Sequence, residues 1–160
     1  MKAILPLGVV VLSVWSCNTT NSSQGANGFL VTSFTVADTL GHTVSQFRER
    51  EAFDLSFSAM NTTGDTLTYH TGYPIILFEI LYGDSVVAAS YFGCAFPQIV
   101  ISGRLAPGQT LKANWRAPKS ICQSKAAPLL PGSYKAQVSF PVFDQVTVTP
   151  ATPISLLIRQ

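Results

Sequence analysis

Phe53-Asp-Leu-Ser-Phe-Ser-Ala-Met-Asn61 is the stretch that decides the fold of this chain. Its apolar residues occupy every second position from Phe53 to Ala59, and Asp or Ser stands between them. That period of two is typical of a β-strand with one buried and one solvated face. Residues 61–65, Asn-Thr-Thr-Gly-Asp, then have the composition of a turn. The stretch therefore predicts a half-buried strand that ends in a turn.

The same kind of pattern continues along the chain on both sides of this strand. Short apolar or alternating runs are separated by turns that contain Gly or Pro, which predicts about nine to eleven strands at roughly ten-residue spacing. Residues 75–82 are almost continuously apolar, so we predict a central strand covered on both faces there. The pattern predicts an all-β fold, an immunoglobulin-like β-sandwich; a small closed β-barrel is the alternative.

The N-terminus has the features of a bacterial lipoprotein signal. Lys2 provides a positive charge, residues 4–14 are mostly apolar, and Ser16 is a small residue immediately before Cys17. The segment is too short to span a bilayer comfortably, so we predict a signal peptide over residues 1–16 that is removed on export. Cys17 then carries the lipid; the alternative is an ordinary cleaved signal with a cysteine nearby by chance.

A polar tether follows the predicted lipidation site. We divide the chain into the signal peptide (residues 1–16), the lipidated cysteine with a flexible tether (residues 17–28) and a single β-sandwich domain (residues 29–160). This organisation predicts a protein of the cell envelope, lipid-anchored to a membrane through Cys17 and facing the periplasm or the exterior.

Charge is scarce in this chain. It has 10 basic and 8 acidic residues, a formal net charge of +2, and no basic run. Nucleic acid is therefore not an expected partner. Only 11% of the residues are charged and 47% are hydrophobic, so a sizeable core is available beneath a surface of uncharged polar residues.

Three cysteines have to be assigned. With Cys17 given to lipid, Cys94 and Cys122 remain as an even pair in an oxidising compartment. We predict a disulfide between them that joins two loops; the alternative is two thiols that never meet. Two distant cysteines and two isolated histidines lack the spacing of metal ligands, so neither a metal nor another cofactor is expected.

The titratable residues form no catalytic motif in the sequence. No nucleophile elbow, zinc-binding helix, phosphate loop or dinucleotide fingerprint is present. We interpret His42 and His70 as surface or turn histidines. Glu79 interrupts the apolar run 75–82, where we expect it to pair with an arginine or to lie at an exposed strand end; a buried carboxyl with a shifted pKa is the alternative. We expect no enzyme activity.

The two cysteine-bearing loops are the candidate binding surface. Trp115 and Tyr134 stand at strand positions, so we assign them to the core. A loop braced by a disulfide loses little conformational entropy on binding. The candidate contact residues in these loops are Phe92, Phe96, Pro97, Lys119 and Ile121.

Three pieces of sequence resemble one known family. They are Phe53-Asp-Leu-Ser-Phe-Ser-Ala-Met-Asn-Thr-Thr-Gly-Asp65, Leu105-Ala-Pro-Gly-Gln-Thr-Leu-Lys-Ala-Asn-Trp115 and Leu130-Pro-Gly-Ser-Tyr-Lys-Ala-Gln-Val138. In this order and spacing, the stretch 51–143 resembles the BsuPI family of bacterial proteinase inhibitors, named for an intracellular inhibitor of a Bacillus serine protease. The resemblance implies a domain that binds a protease. It transfers no site residue, because the matched positions are turns and strands.

These observations together predict a lipid-anchored, extracytoplasmic domain that acts by protein binding and not by catalysis. The partner implied by the resemblance is a protease. The alternative is a noncatalytic cell-envelope module that binds another envelope protein or a polysaccharide.

Overall fold

The computed structural model of the chain describes residues 30–123, 127–144, 146, 148 and 151–160. In these residues the fold is all-β, as predicted, with eleven strands and no helix. The strands are β1 (Leu30–Ala37), β2 (Gln46–Arg48), β3 (Phe53–Asn61), β4 (Leu67–Thr71), β5 (Leu77–Tyr82), β6 (Ser85–Ala89), β7 (Ile101–Leu105), β8 (Thr110–Ala117), β9 (Gly132–Ser139), β10 (Val142–Phe143) and β11 (Ile154–Arg159).

The predicted signal peptide, Cys17 and the tether lie outside the described residues. Within the described ranges, no helix has the length and apolar character needed to cross a bilayer.

The strands form three open sheets. One has five strands in the order β2-β11-β9-β5-β6, and the other two have three strands each, in the orders β1-β3-β8 and β10-β4-β7. Each sheet has an unpaired edge strand at either side, so the described strands do not form the closed β-barrel that was the alternative prediction. The described strands therefore form a β-sandwich, the first of the two predicted architectures.

The first two strands belong to the two sheets that face each other across the main core, the sheet β1-β3-β8 as one layer and the five-stranded sheet as the other. β1 pairs antiparallel with β3 in one sheet, whereas β2 pairs in parallel with β11 in the five-stranded sheet. All other pairings between the described strands are antiparallel. The chain thus crosses from one layer to the other between Ala37 and Gln46, which ties the two sheets together at one edge.

The core between the layers is rich in aromatic side chains. Phe78 of β5 lies between Phe34 of β1 and Trp115 of β8, with ring centroids 6.3 Å from each. Phe57 of β3 stacks on Phe140 at 4.7 Å. The alternation that predicted the third strand is observed directly, because every second side chain of β3 is buried. Each fully buried side chain of this size contributes about 1.5–3 kcal/mol relative to its exposed state.

Tyr134 connects the start of β9 to the turn before it. The residue is buried, as predicted for a core position, and its hydroxyl donates a 2.7 Å hydrogen bond to the carbonyl oxygen of Leu130. A tyrosine at the start of a strand that bonds back to its own preceding turn is a feature of immunoglobulin-like sandwiches.

A smaller apolar cluster lies beneath the sheet β10-β4-β7. Its buried members are Leu67, Tyr69, Leu105 and Phe143. Tyr69 lies directly opposite Gly103 in the register of β4 and β7, and its ring covers the glycine. A Cβ atom at Gly103 would stand 2.1 Å from Cζ of Tyr69, so this position leaves no room for a side chain.

Asn61 organises the turn that follows β3. It is fully buried, and its amide nitrogen donates hydrogen bonds to the carbonyl oxygens of Asp65 and Leu105, at 2.7 and 2.8 Å. Its side-chain oxygen accepts bonds from the backbone nitrogen and the hydroxyl of Thr63, at 2.9 and 2.7 Å. Both N–H donors and the carbonyl acceptor of the side chain are therefore hydrogen-bonded, so burial leaves no polar atom of Asn61 without a partner.

The apolar run 75–82 differs from its prediction. The strand begins only at Leu77, and its side chains alternate between buried and partly exposed. β5 is central in its sheet, between β9 and β6, but only one face is covered by the second layer. The prediction of a strand covered on both faces was wrong, because a continuous apolar run does not show how many layers a fold has.

Candidate functional site

The predicted cysteine pair joins two loops. Cys94 and Cys122 form a disulfide, with their Cα atoms 5.1 Å apart and a separation of 28 positions in the sequence. The loops are residues 90–98, which follow β6, and residues 118–123, which follow β8; we call them together the braced loop pair. The disulfide is the covalent part of a larger set of contacts between these two segments.

Ser120 is the centre of the contacts between the loops. It is 1% exposed, and its hydroxyl lies 2.5 Å from the carbonyl oxygen of Phe92 and 3.2 Å from that of Ser90, to which it donates. The same oxygen accepts the backbone N–H of Cys122 at 3.2 Å. A buried hydroxyl with partners on both segments fixes their separation independently of the disulfide.

The core supports the second loop from below. The indole nitrogen of Trp115 donates a 2.6 Å hydrogen bond to the carbonyl oxygen of Lys119. Trp115 is buried, as predicted, so its polar group needs a partner within the protein. The backbone of the second loop is therefore hydrogen-bonded to a side chain that is packed in the core of the sandwich.

The first loop is attached to the outer face of the five-stranded sheet. The hydroxyl of Tyr91 donates a hydrogen bond to one carboxylate oxygen of Glu79, and the amide of Gln137 donates to the other at 2.6 Å. The hydrogen bond to the carboxylate raises the pKa of Tyr91 to about 12, and burial adds to the effect. Glu79 thus has neither of the environments we predicted: it is part-buried, and it pairs with a tyrosine and an amide in place of an arginine.

The structure separates the candidate contact residues into two groups. Pro97, Lys119 and Ile121 are exposed. Phe92 and Phe96 are half-buried, because their rings contact the rings of Tyr91 and Tyr73, respectively. Of the five candidate contact residues, the first group is therefore the more accessible to a partner.

Comparison with known proteins leaves the function open. No protein-family model matches the chain, and no curated protein matches it. One similar solved structure is an alkylpurine DNA glycosylase of Pseudomonas fluorescens bound to DNA with an abasic-site analogue, with 14% identity, 83% of this chain and 31% of that chain covered, and a TM-score of 0.41. Another is a β-glucosidase of Listeria innocua in complex with glucose, with 12% identity, 81% and 15% covered, and a TM-score of 0.40. The chain spans less than a third of either protein, and likeness at this level carries no argument about activity.

A row of polar side chains that sequence reasoning missed crosses the outer face of the sheet β10-β4-β7. Nδ1 of His70 lies 2.8 Å from the hydroxyl of Ser102, and Nε2 of His70 lies 3.3 Å from a carboxylate oxygen of Asp144. The register brings them together, because His70 stands opposite Ser102 on β7 and opposite Val142 on β10. This row could be recognised only once the pairing of β4 with β7 and β10 was known.

The row has the residue types of a hydrolytic triad but not its environment. His70 is 53% exposed and Asp144 is 48% exposed, so water screens the attraction between them. In a serine hydrolase the carboxylate is buried and holds the imidazole in one tautomer. We therefore interpret Ser102, His70 and Asp144 as a polar ladder that fastens the edge strand β10 to its sheet.

The second histidine also has a carboxylate partner. Nδ1 of His42 lies 3.0 Å from a carboxylate oxygen of Asp38 in the exposed turn after β1. The backbone hydrogen bond from His42 is the largest cause of the lowered pKa of Asp38. Both histidines lie at the surface, as predicted. No group of three or more metal-ligating side chains is found among the described residues.

Proposed function

We propose that this chain is a lipid-anchored, extracytoplasmic binding domain that uses the braced loop pair to contact a protein partner, a protease. The observation that carries the proposal is the state of Ile121, which is 67% exposed although the residues on either side of it are clamped. An apolar side chain held in solvent on a fixed backbone loses little entropy when a partner covers it. The resemblance to the BsuPI family supports a protease as that partner.

The binding experiment uses residues 18–160, which include every described strand, with the disulfide oxidised. This protein is titrated into trypsin, chymotrypsin and elastase, and residual activity is recorded. We expect stoichiometric loss of activity with at least one of them. Replacing Phe92, Phe96 and Ile121 together by Ala should abolish the effect. Unchanged inhibition by that variant would remove the braced loop pair as the contact surface.

The inhibition experiment also distinguishes the protease-binding function from the alternative function. If no protease is inhibited and the protein itself is not cleaved, the alternative of an envelope module that binds another envelope protein or a polysaccharide becomes the better proposal. Pull-down from solubilised envelope with the wild type and the triple variant then identifies the partner.

The lipid on Cys17 has its own test. The full-length chain should partition into the detergent phase when it is expressed in a bacterium and label with palmitate, and Cys17→Ser should do neither. Labelling that persists in Cys17→Ser would contradict lipidation at this residue.

A further inference from the structure

Lys119 and Ile121 stand on either side of Ser120, and both side chains are exposed, but their backbones are in different environments. The carbonyl of Lys119 is turned toward the core, where it accepts the hydrogen bond from Trp115. Ser120, the next residue, is buried. The peptide bond between Lys119 and Ser120 is therefore not available to a protease cleft, although a lysine in an exposed loop is a common target of trypsin-like enzymes.

Ile121 is exposed on a turn whose backbone is hydrogen-bonded to the first loop. Its backbone nitrogen donates to the carbonyl oxygen of Ser90 at 3.1 Å, and the nitrogen of Gln123 closes the turn on the carbonyl of Ser120 at 3.3 Å. Cys122 is held by the disulfide. The side chain of Ile121 is thus an exposed, large apolar group on a hydrogen-bonded turn, where it is accessible to another molecule.

The backbone conformation also decides how a partner can use the loop. Serine proteases hold their substrates as extended segments, whereas residues 120–123 form a closed turn. A partner can therefore receive the side chain of Ile121 without receiving a cleavable strand.

We propose that Ile121 is the residue that a protease partner buries, that the receiving pocket is apolar, and that the loop is not cleaved in the complex. This inference rests on the proposed function. Pocket chemistry follows from the side chain, because a branched aliphatic group gains from burial only where no charge has to be desolvated. Enzymes of the chymotrypsin and elastase type have such pockets, whereas the trypsin pocket contains an aspartate.

The test replaces the aliphatic side chain of Ile121 by a smaller one or by a charged one. Inhibition of elastase, chymotrypsin and trypsin is measured for the wild type, Ile121→Ala and Ile121→Lys. Leu40→Lys is the matched control, since it places the same charge on another exposed apolar residue, in the turn between β1 and β2. We expect the wild type to inhibit elastase or chymotrypsin more strongly than trypsin. Ile121→Ala should weaken that inhibition at least about tenfold.

Ile121→Lys should reverse the preference toward trypsin, while Leu40→Lys keeps the wild-type order. Mass spectrometry of each complex should show an intact chain. The inference is overturned if both Ile121 variants inhibit like the wild type, if Lys119→Ala abolishes inhibition where Ile121→Ala does not, or if the chain is cut after residue 121.

These outcomes distinguish the inference from the proposal on which it rests. Loss of inhibition in the triple loop variant, with full inhibition by Ile121→Ala, would retain the braced loop pair and reject Ile121. If the wild type inhibits none of the three enzymes, both the protease function and the role of Ile121 are rejected.

Discussion

The indole nitrogen of Trp115 donates a hydrogen bond to the carbonyl oxygen of Lys119, and this bond connects the hydrophobic core to the candidate binding loop. Trp115 also faces Phe78 across the sandwich. The loop therefore takes its position from the packing of the two layers and not only from its disulfide.

Trp115→Phe should keep an aromatic ring in the core but leave the carbonyl of Lys119 without its donor. We expect the free energy of unfolding to fall by about 1–3 kcal/mol, and the backbone amides of Ile121 and Cys122 to exchange faster. Hydrogen exchange followed by NMR measures both effects. The control is Phe78→Leu, which also disturbs the core but removes no bond to the loop. Equal loop exchange in the two variants would contradict this support.

The disulfide between Cys94 and Cys122 should stabilise the fold mainly by restricting the unfolded chain. For a closed loop of this length, the chain-entropy model predicts a contribution of about 3–4 kcal/mol. We expect Cys94→Ser/Cys122→Ser and the reduced wild type to show the same lower urea midpoint. A midpoint that does not change on reduction would contradict this contribution of the disulfide.

Gly103→Ala should destabilise the protein, because its Cβ would overlap the ring of Tyr69. Forcing an extra methyl group into a packed site costs about 1–3 kcal/mol. Gly64→Ala is the control, since nothing lies within 4 Å of a Cβ atom there. Urea unfolding of Gly103→Ala with and without Tyr69→Leu tests the cause. The penalty should shrink in the Tyr69→Leu background, and an equal penalty in both would contradict the steric explanation.

Asp54 and Arg116 should make stability depend on pH in acid. Arg116 bonds both carboxylate oxygens, at 2.9 and 2.8 Å, and these hydrogen bonds lower the pKa of Asp54. Because the folded-state pKa is the lower one, the pair stabilises the fold above the unfolded-state pKa of about 3.9. That stabilisation is lost as the pH falls through the folded-state value.

The Arg116 side chain is largely solvated, so water screens the pair and its contribution to the free energy of unfolding at neutral pH should be small. Asp54→Asn should remove it and flatten the decline in stability below about pH 4. Urea unfolding at a series of pH values measures this, with Asp84→Asn in an exposed turn as the control. If Asp54→Asn retains the wild-type acid profile, another carboxylate is responsible.

Local patterns predicted much of the fold, and pairings between distant strands explain what they missed. The alternation after Phe53 is a property of neighbouring residues, and the parity of the cysteines needs no geometry, so both could be interpreted from the sequence. The partners of Glu79 could not, since Gln137 is 58 residues away and meets it only through the register of β5 and β9. The row of Ser102, His70 and Asp144 depends in the same way on three strands.

The buried Asn61 has a consequence for production of the protein in eukaryotic cells. Asn-Thr-Thr at residues 61–63 is an acceptor sequence for N-linked glycosylation. The nitrogen that would carry the sugar is the one that bonds the carbonyls of Asp65 and Leu105 inside the fold. A glycan added to the nascent chain would exclude the native turn, so at this position sugar attachment and folding are mutually exclusive.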